Sequence, residues 1–230
     1  MSVYDDPVFL AGYRGLRRDG LGLNSALEIP ALTAMLPPVG GLRVVDLGCG
    51  EGELAVRIAA AGAASVTGVD LSASMLSRAR EHVSVRYVQA DIADFDLPAG
   101  SVDLVVSSLA LHYVEDFDGL VARIARWLSA GGRFVFSIEH PVITAPLEAA
   151  DLVIDDYFDE GLRQRSWFVD GVQKYHRTVS SLLMTLCSRG FSLLAVDEPQ
   201  PTATQVESHP HLAIHRRRPA LLLVAAARVA

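Results

Sequence analysis

The chain has 230 residues, half of them apolar and a fifth charged, and a net charge of −7. That length and composition fit one α/β domain with an ample core and argue against disorder. The acidic balance gives no general attraction to phosphate backbones, and no apolar run approaches the ~20 residues a spanning helix needs, so neither nucleic acid nor membrane is an expected partner.

The first residues, Met1-Ser2-Val3-Tyr4-Asp5-Asp6, lack the basic-then-apolar order of a signal peptide. Cys49 and Cys187 lie far apart and read as reduced, buried thiols, so a soluble cytoplasmic protein without structural zinc is expected. From Arg43 the chain alternates short β-branched runs with helical patterns. Strands are predicted over Arg43–Leu47, Ser65–Asp70, Val85–Val88, Val102–Ser107 and Arg133–Ile138. Helices are predicted over Glu53–Ala61, over Ser72–Val83 with Ser72 as N-cap, and after Asp116, where Phe117, Leu120, Val121, Ile124 and Leu128 fall at helical spacing before Gly131-Gly132 ends the element. Such alternation predicts a mostly parallel sheet with helices on both faces.

The rhythm breaks after Glu139. Asp170-Gly171 separates two alternating runs, Arg163–Val169 and Val172–Arg177, and such a pair signals a hairpin because both residues tolerate positive φ. Residues 139–177 therefore read as an antiparallel insertion capping one end of the sheet. A helix over Thr178–Arg189, a strand over Phe191–Val196, a proline-rich loop and a last strand over Ala220–Arg228 complete a seven-stranded sheet in a single domain of residues 1–230.

The strongest local signal is Val44-Val45-Asp46-Leu47-Gly48-Cys49-Gly50-Glu51-Gly52, a strand running into glycines and then a helix. Glycines let the backbone turn tightly and approach a ligand. Such a turn also suits NAD or FAD, but the spacing here is G-x-G-x-G and not G-x-G-x-x-G. Asp46, two residues before the first glycine, is a poor neighbour for a pyrophosphate and suits a ligand carrying an ammonium or sulfonium. Asp70 ends the second strand at the usual distance for a ribose-hydroxyl acceptor. The third strand leads to Asp91, whose carboxylate can accept from an adenine amino group while the Ile92 N–H faces a ring nitrogen. Three acids at three successive strand ends converge on one crevice.

At these residues the sequence resembles the class I S-adenosylmethionine-dependent methyltransferases, in particular the small-molecule branch that includes quinone-biosynthesis enzymes. The resemblance rests on VVDLGCGEG, VTGVDLS, QADIADFDL and DLVVSSLALHYVED, covers residues 40 to 138, and implies a Rossmann-like fold that binds S-adenosylmethionine. It places Asp46, Gly48 and Gly50 at the methionine end, Asp70 on the ribose, Leu71 beside the adenine, Asp91 and Ile92 on the adenine edge, and Ser107 and Leu109 along the methionine, with Met75 also counted as cofactor-binding. YDDPVFLAGYRGLRRDGLGLN, EHPVITA and QKYHRTV look like one bacterial subgroup. Ser107-Ser108-Leu109-Ala110 stands where enzymes acting on DNA or glutamine amino groups carry an Asn-Pro-Pro-Tyr-like motif, which argues against those substrates.

Methyl transfer from a sulfonium is an in-line displacement that needs alignment and desolvation, plus a base only where the acceptor must lose a proton. Candidates for the base are His112, after the fourth strand, and His140, after the fifth. Tyr175 and His176, on the returning arm of the hairpin, join them; Lys174 reads as solvated. In the N-terminal segment, residues 1–39, expected to cover the cofactor, Tyr13 and Arg17 are candidates for the methionine carboxylate. His215–Arg218 reads as a solvated loop or an oligomer contact, the latter allowing a homodimer. The aromatics Tyr157, Phe158, Trp167 and Phe168 read as lining an acceptor pocket or packing the cap. A small-molecule acceptor is thus expected. The other readings are a macromolecule methyltransferase, a non-catalytic binder of S-adenosylmethionine and, weakest, a nicotinamide oxidoreductase.

Overall fold

A computed structural model describes residues 2–18, 22–146 and 155–229, the side chains of Arg17 and Arg18 excepted. The first strand, β1 (Arg43–Leu47), is buried on both faces after its first residue, as a central parallel strand must be. Its neighbours are β2 (Ser65–Asp70) and β4 (Val102–Ser108), both parallel to it. With β3 (Val85–Gln89), β5 (Leu128–Glu139), β8 (Phe191–Asp197) and β9 (Leu221–Arg228) they form one sheet of order β3-β2-β1-β4-β5-β9-β8. Only β9 runs antiparallel to its neighbours. The strand order reverses between β1 and β4, which is where an open parallel sheet leaves a crevice. The remaining pair, β6 (Gly161–Trp167) and β7 (Val169–His176), is the expected antiparallel hairpin.

Period-two alternation divides the core. Val45, Leu47, Val105, Phe134 and Phe136 face one side with Ile124 and Trp127 of α5 (Phe117–Trp127) and Leu186 of α7 (Val179–Ser188). Val44, Leu104, Val106 and Val135 face the other with Leu32 of α2 (Ile29–Met35) and Leu54 and Ile58 of α3 (Glu53–Ala60). Truncating a residue as buried as Ile124 to Ala costs about 2–5 kcal/mol. Asp116 caps α5 by accepting from the Gly119 N–H, and Thr178 caps α7 through Ser181 N–H. Helix α1 (Pro7–Arg18) and a π-helical turn over Asn24–Glu28 precede α2.

Several local expectations are corrected. The helix after Ser72 is only α4 (Ala73–Leu76); the next residues are held otherwise, with Arg80 N–H on Glu51 O and Arg80 O taken by the Tyr87 hydroxyl, and Val83 lies in solvent. Gly131-Gly132 does not end α5, because Leu128 already starts β5 and a register shift against β4 absorbs the glycines. The hairpin turns at Phe168 (φ 59°) and not at Asp170-Gly171, which fall within β7. Tertiary packing outweighs the local turn preference here: Phe168 sits against Gly12 of α1 and 5.7 Å from the Phe9 ring. The proline-rich loop contains α8 (Ala203–Ser208) and a 3-10 helix over Pro210–Arg216 that includes His215. Cys187 is exposed rather than buried, on the outer side of α7. A last short helix, α6 (Pro141–Thr144), follows β5. No helix among the described residues is long and apolar enough to cross a membrane.

Candidate active site

A single cavity of about 1350 Å³ opens over the C-terminal ends of β1, β2, β3 and β4, and the hairpin and the N-terminal segment supply its far wall. Asp46, Gly48, Gly50, Asp70, Leu71, Met75, Asp91 and Ile92 all line it. Gly48 (φ 74°) and Gly50 (φ 53°) hold left-handed backbone, and a Cβ on Gly48 would stand 2.2 Å from the Ala110 Cβ. That crowding keeps the loop against β4 and is why glycine is required.

The carboxylates differ in state. Asp46 is 1% exposed and neither of its oxygens has a hydrogen-bond partner among the described residues. Burial, followed by the charges of Asp70 and Glu28, pushes its pKa up to about 7. A buried unpaired carboxylate aimed into a cavity is costly and calls for a cationic partner. Asp70 has also been raised by burial, although its Oδ2 accepts from Gly50 N–H and its Oδ1 from Ser72 N–H, both at 2.8 Å. Those bonds fix its side chain and leave lone pairs for a ligand. Asp91 accepts from Ala93 N–H.

On the opposite wall the 3-10 turn Val3–Asp5 and α1 reach the sheet through polar contacts. Asp5 accepts from Ser72 Oγ (2.6 Å) and Ser74 N–H (3.1 Å), and Arg14 pairs with Glu51 at 3.2 Å. Tyr13 lines the cavity; Arg17 lies on α1, but its side chain is outside the described residues. The same segment meets the hairpin through aromatic edges, Phe9 to Trp167 (5.2 Å) and Tyr13 to Trp167 (6.2 Å), and the turn after β4 through Tyr4 and Tyr113 (6.2 Å).

The candidate bases separate. His112 and Tyr175 line the cavity. Burial pushes the His112 pKa to about 4, so the imidazole is neutral, and its Nδ1 accepts from the Glu139 N–H at 3.5 Å. That bond leaves the proton on Nε2. The Tyr175 hydroxyl donates to Glu115 at 3.2 Å. His140 and His176 are not brought to the cavity. His140 caps α6 through Val142 N–H and pairs with Glu198 at 2.6 Å. His176 is fully buried under the hairpin between Thr144 Oγ1 (2.9 Å) and Tyr157 O (2.9 Å). With both nitrogens of each ring engaged, neither is a free base. Burial lowers the pKa of both. Ser107 is likewise displaced: its Oγ donates to Leu47 O at 2.8 Å and ties β4 to β1, while Ser108 and Leu109 (φ 53°) face the cavity.

Two buried groups escaped sequence reasoning. Glu28 is fully buried and accepts from Ser137 Oγ (2.6 Å), Ser108 Oγ (2.9 Å) and Asn24 Nδ2 (2.7 Å). Its i−4 relation to Asn24 was the one sequence signal available. Lys174, expected in solvent, is 6% exposed; its Nζ lies 2.5 Å from Glu139 and 5.1 Å from the Trp167 ring centroid. Burial opposes ionisation of Glu139, but the facing His112 and the charge and hydrogen bond of Lys174 hold its pKa below the usual carboxylate range. Of the cap aromatics, Trp167 lines the cavity, Tyr157 packs within the cap, and Phe158 is 89% exposed. Among the described residues, no group of His, Cys, Asp and Glu is arranged to hold a metal.

Known proteins share this fold. Residues 45–136 match the model of a methyltransferase domain. A crystal structure of an S-adenosylmethionine-dependent methyltransferase from Mesorhizobium loti superposes with a TM-score of 0.84 at 46% identity, covering 90% of this chain and all of that one. An uncharacterised protein of Haemophilus influenzae is 32% identical over 250 residues, 100% of this chain and 98% of its own. A trans-aconitate 2-methyltransferase of Paracidovorax citrulli is 40% identical over 116 residues, 48% of this chain and 43% of that protein. The chain belongs to the class I S-adenosylmethionine-dependent methyltransferases.

Proposed function

We propose that this methyltransferase acts on an O, N or C atom of a small organic molecule. The observation that carries the reading is the continuity of one cavity from Asp70 and Asp91 at the strand ends to the aromatic wall of Tyr4, Tyr113, Trp167 and Tyr175. Its volume exceeds the few hundred Å³ that one ligand occupies and suits a nucleoside cofactor with a compact acceptor beside it.

S-Adenosylmethionine, when bound, supplies an electrophilic methyl group. Asp70 takes the ribose hydroxyls, Leu71 and Met75 flank the adenine, and Asp91 and the Ile92 N–H read its edge. Asp46 pairs with the ammonium, which accounts for a buried carboxylate without a hydrogen-bond partner among the described residues. Gly48 and Gly50 keep the backbone low beneath the methionine, and Leu109 lies along it. Tyr13 and Arg17 are assigned to the methionine carboxylate. The N-terminal segment and the hairpin then form a common cover that excludes water from the reacting atoms. His112 and Tyr175 are the groups positioned to touch an acceptor: His112 as a hydrogen-bond donor through Nε2, Tyr175 as the partner of Glu115. His140 and His176 hold the cap in place. Two unpaired cysteines suit a reducing cytoplasm.

The test is release of S-adenosylhomocysteine from S-adenosylmethionine during a screen of small acceptors. Turnover that falls in His112→Ala but persists in His140→Ala supports the assignment. Turnover on nucleic acid or protein only, with no small acceptor used, overturns it.

A further inference from the structure

The charges around the cavity are lopsided. Among the described residues ten carboxylates line it, against the guanidiniums of Arg14 and Arg80 and no lysine; three of the ten, Glu51, Glu53 and Glu139, are paired with Arg14, Arg57 and Lys174. The hairpin carries four cations, yet each is drawn off. Arg163 donates to Ala145 O (2.9 Å), Arg165 to Thr144 O (2.9 Å), Arg177 to Val114 O (2.6 Å), and Lys174 to Glu139 (2.5 Å). None of the four is a lining residue.

Two acids at the mouth, on the acceptor side, remain uncompensated. Glu115 accepts from the Tyr175 hydroxyl at 3.2 Å and Asp170 from the Ser166 hydroxyl at 2.5 Å; among the described residues no cation pairs with either. The wall also shows what it can hold: the Lys174 ammonium sits 5.1 Å from the Trp167 centroid and 5.9 Å from that of Tyr113, a geometry in which ring faces attract a cation. Both rings also border the cavity.

We propose that the acceptor is a small organic amine, drawn in as a cation by Glu115 and Asp170 and seated against Tyr113, Trp167 and Tyr175. This rests on the small-molecule reading given above and narrows it. Carboxylates focused in a cleft raise the local concentration of cations and repel anions. The chemistry balances. The bound ammonium gives one proton to a mouth carboxylate, which passes it to solvent, and the freed nitrogen lone pair attacks the methyl carbon of S-adenosylmethionine. The carbon–sulfur bonding pair stays on sulfur, leaving S-adenosylhomocysteine and a methylated ammonium. An anionic acceptor such as that named for the Paracidovorax citrulli relative would enter against the field, and that relative resembles less than half of this chain.

Three probes share a phenol ring and a two-carbon arm and differ in charge: tyramine (cation), tyrosol (neutral) and 4-hydroxyphenylacetate (anion). Each is titrated calorimetrically into the intact protein saturated with S-adenosylhomocysteine. The expected result is tyramine binding about tenfold more tightly than tyrosol, a gap of about 1.4 kcal/mol, with the anion weakest. In the double variant Glu115→Gln, Asp170→Asn the tyramine advantage should shrink roughly fivefold, with tyrosol and S-adenosylhomocysteine affinities unchanged. Tyramine binding no more tightly than tyrosol or the anion, or an advantage surviving the double substitution, overturns the amine proposal and leaves the methyltransferase reading intact. Failure of S-adenosylhomocysteine to bind at all overturns the underlying reading as well.

Discussion

The two walls of the cavity are built by different physics. The wall we assign to the cofactor consists of strand ends: Asp46, Asp70 and Asp91 stand where β1, β2 and β3 stop, and parallel pairing brings them together. The acceptor wall is assembled from segments far apart in sequence. Tyr4 meets Tyr113, and Phe9 meets Trp167, only because the N-terminal segment, the turn after β4 and the hairpin pack on one another. Backbone geometry secures the first wall, and side-chain contacts secure the second. Substitutions should therefore damage chemistry on the first and folding of the cover on the second.

The largest effect is expected at the joint between hairpin and sheet. Lys174→Met leaves Glu139, three-quarters buried, without its cation, and breaking such a pair costs about 3 kcal/mol. Tm should fall by roughly 6–12 °C for a chain of this size. Adding Glu139→Gln should recover most of that loss in a thermal melt, because the pair's benefit is largely the avoidance of an unpaired charge.

Asp46 should show the opposite trade. Its carboxyl is held near 7, above the 3.8 of an unperturbed aspartate, so between those values the folded protein binds more protons than the unfolded one. Stability of the unliganded protein therefore falls as pH rises through that window. Asp46→Asn should raise Tm in the absence of ligand by about 5 °C at pH 8 while weakening S-adenosylhomocysteine binding. The same titration predicts a pH dependence of affinity. Pairing with the ligand ammonium requires the charged carboxylate, so S-adenosylhomocysteine should bind about tenfold more weakly at pH 6 than at pH 8. Calorimetry across that range checks the slope, and Asp46→Asn should flatten it. The smallest effect belongs to Tyr4→Phe, which loses one 3.4 Å hydroxyl contact with Tyr113 and should cost about 1 kcal/mol or less.

The same contrast explains what could be read from the sequence. The placement of the strand-end residues was legible because glycine spacing and strand-end acids are local patterns: Gly48, Gly50, Asp70 and Asp91 line the cavity. The strands of the sheet and the Ser72 and Asp116 caps were legible for the same reason. The acceptor wall was not. Alternation along β7 left open which face turns inward, and it is the face of Val172, Lys174 and His176 that is buried. His140 and His176 sit close to the rim in sequence, but Glu198, Thr144 and Tyr157 O claim their nitrogens from distant positions. Asp170-Gly171 carries turn chemistry that Phe168 overrides by docking against α1. Ser107 was one residue out of phase: Ser108 faces the cavity in its place.

The central claim is that Asp70 and its neighbours at the strand ends hold the adenosyl cofactor, and calorimetric titration with S-adenosylhomocysteine tests it most directly. The account predicts binding by the native protein and a loss of about 100-fold, roughly 2.7 kcal/mol, in Asp70→Ala, which removes the ribose acceptor and its grip on Gly50 N–H. Equal affinity in the two proteins, or no binding by either, would contradict it.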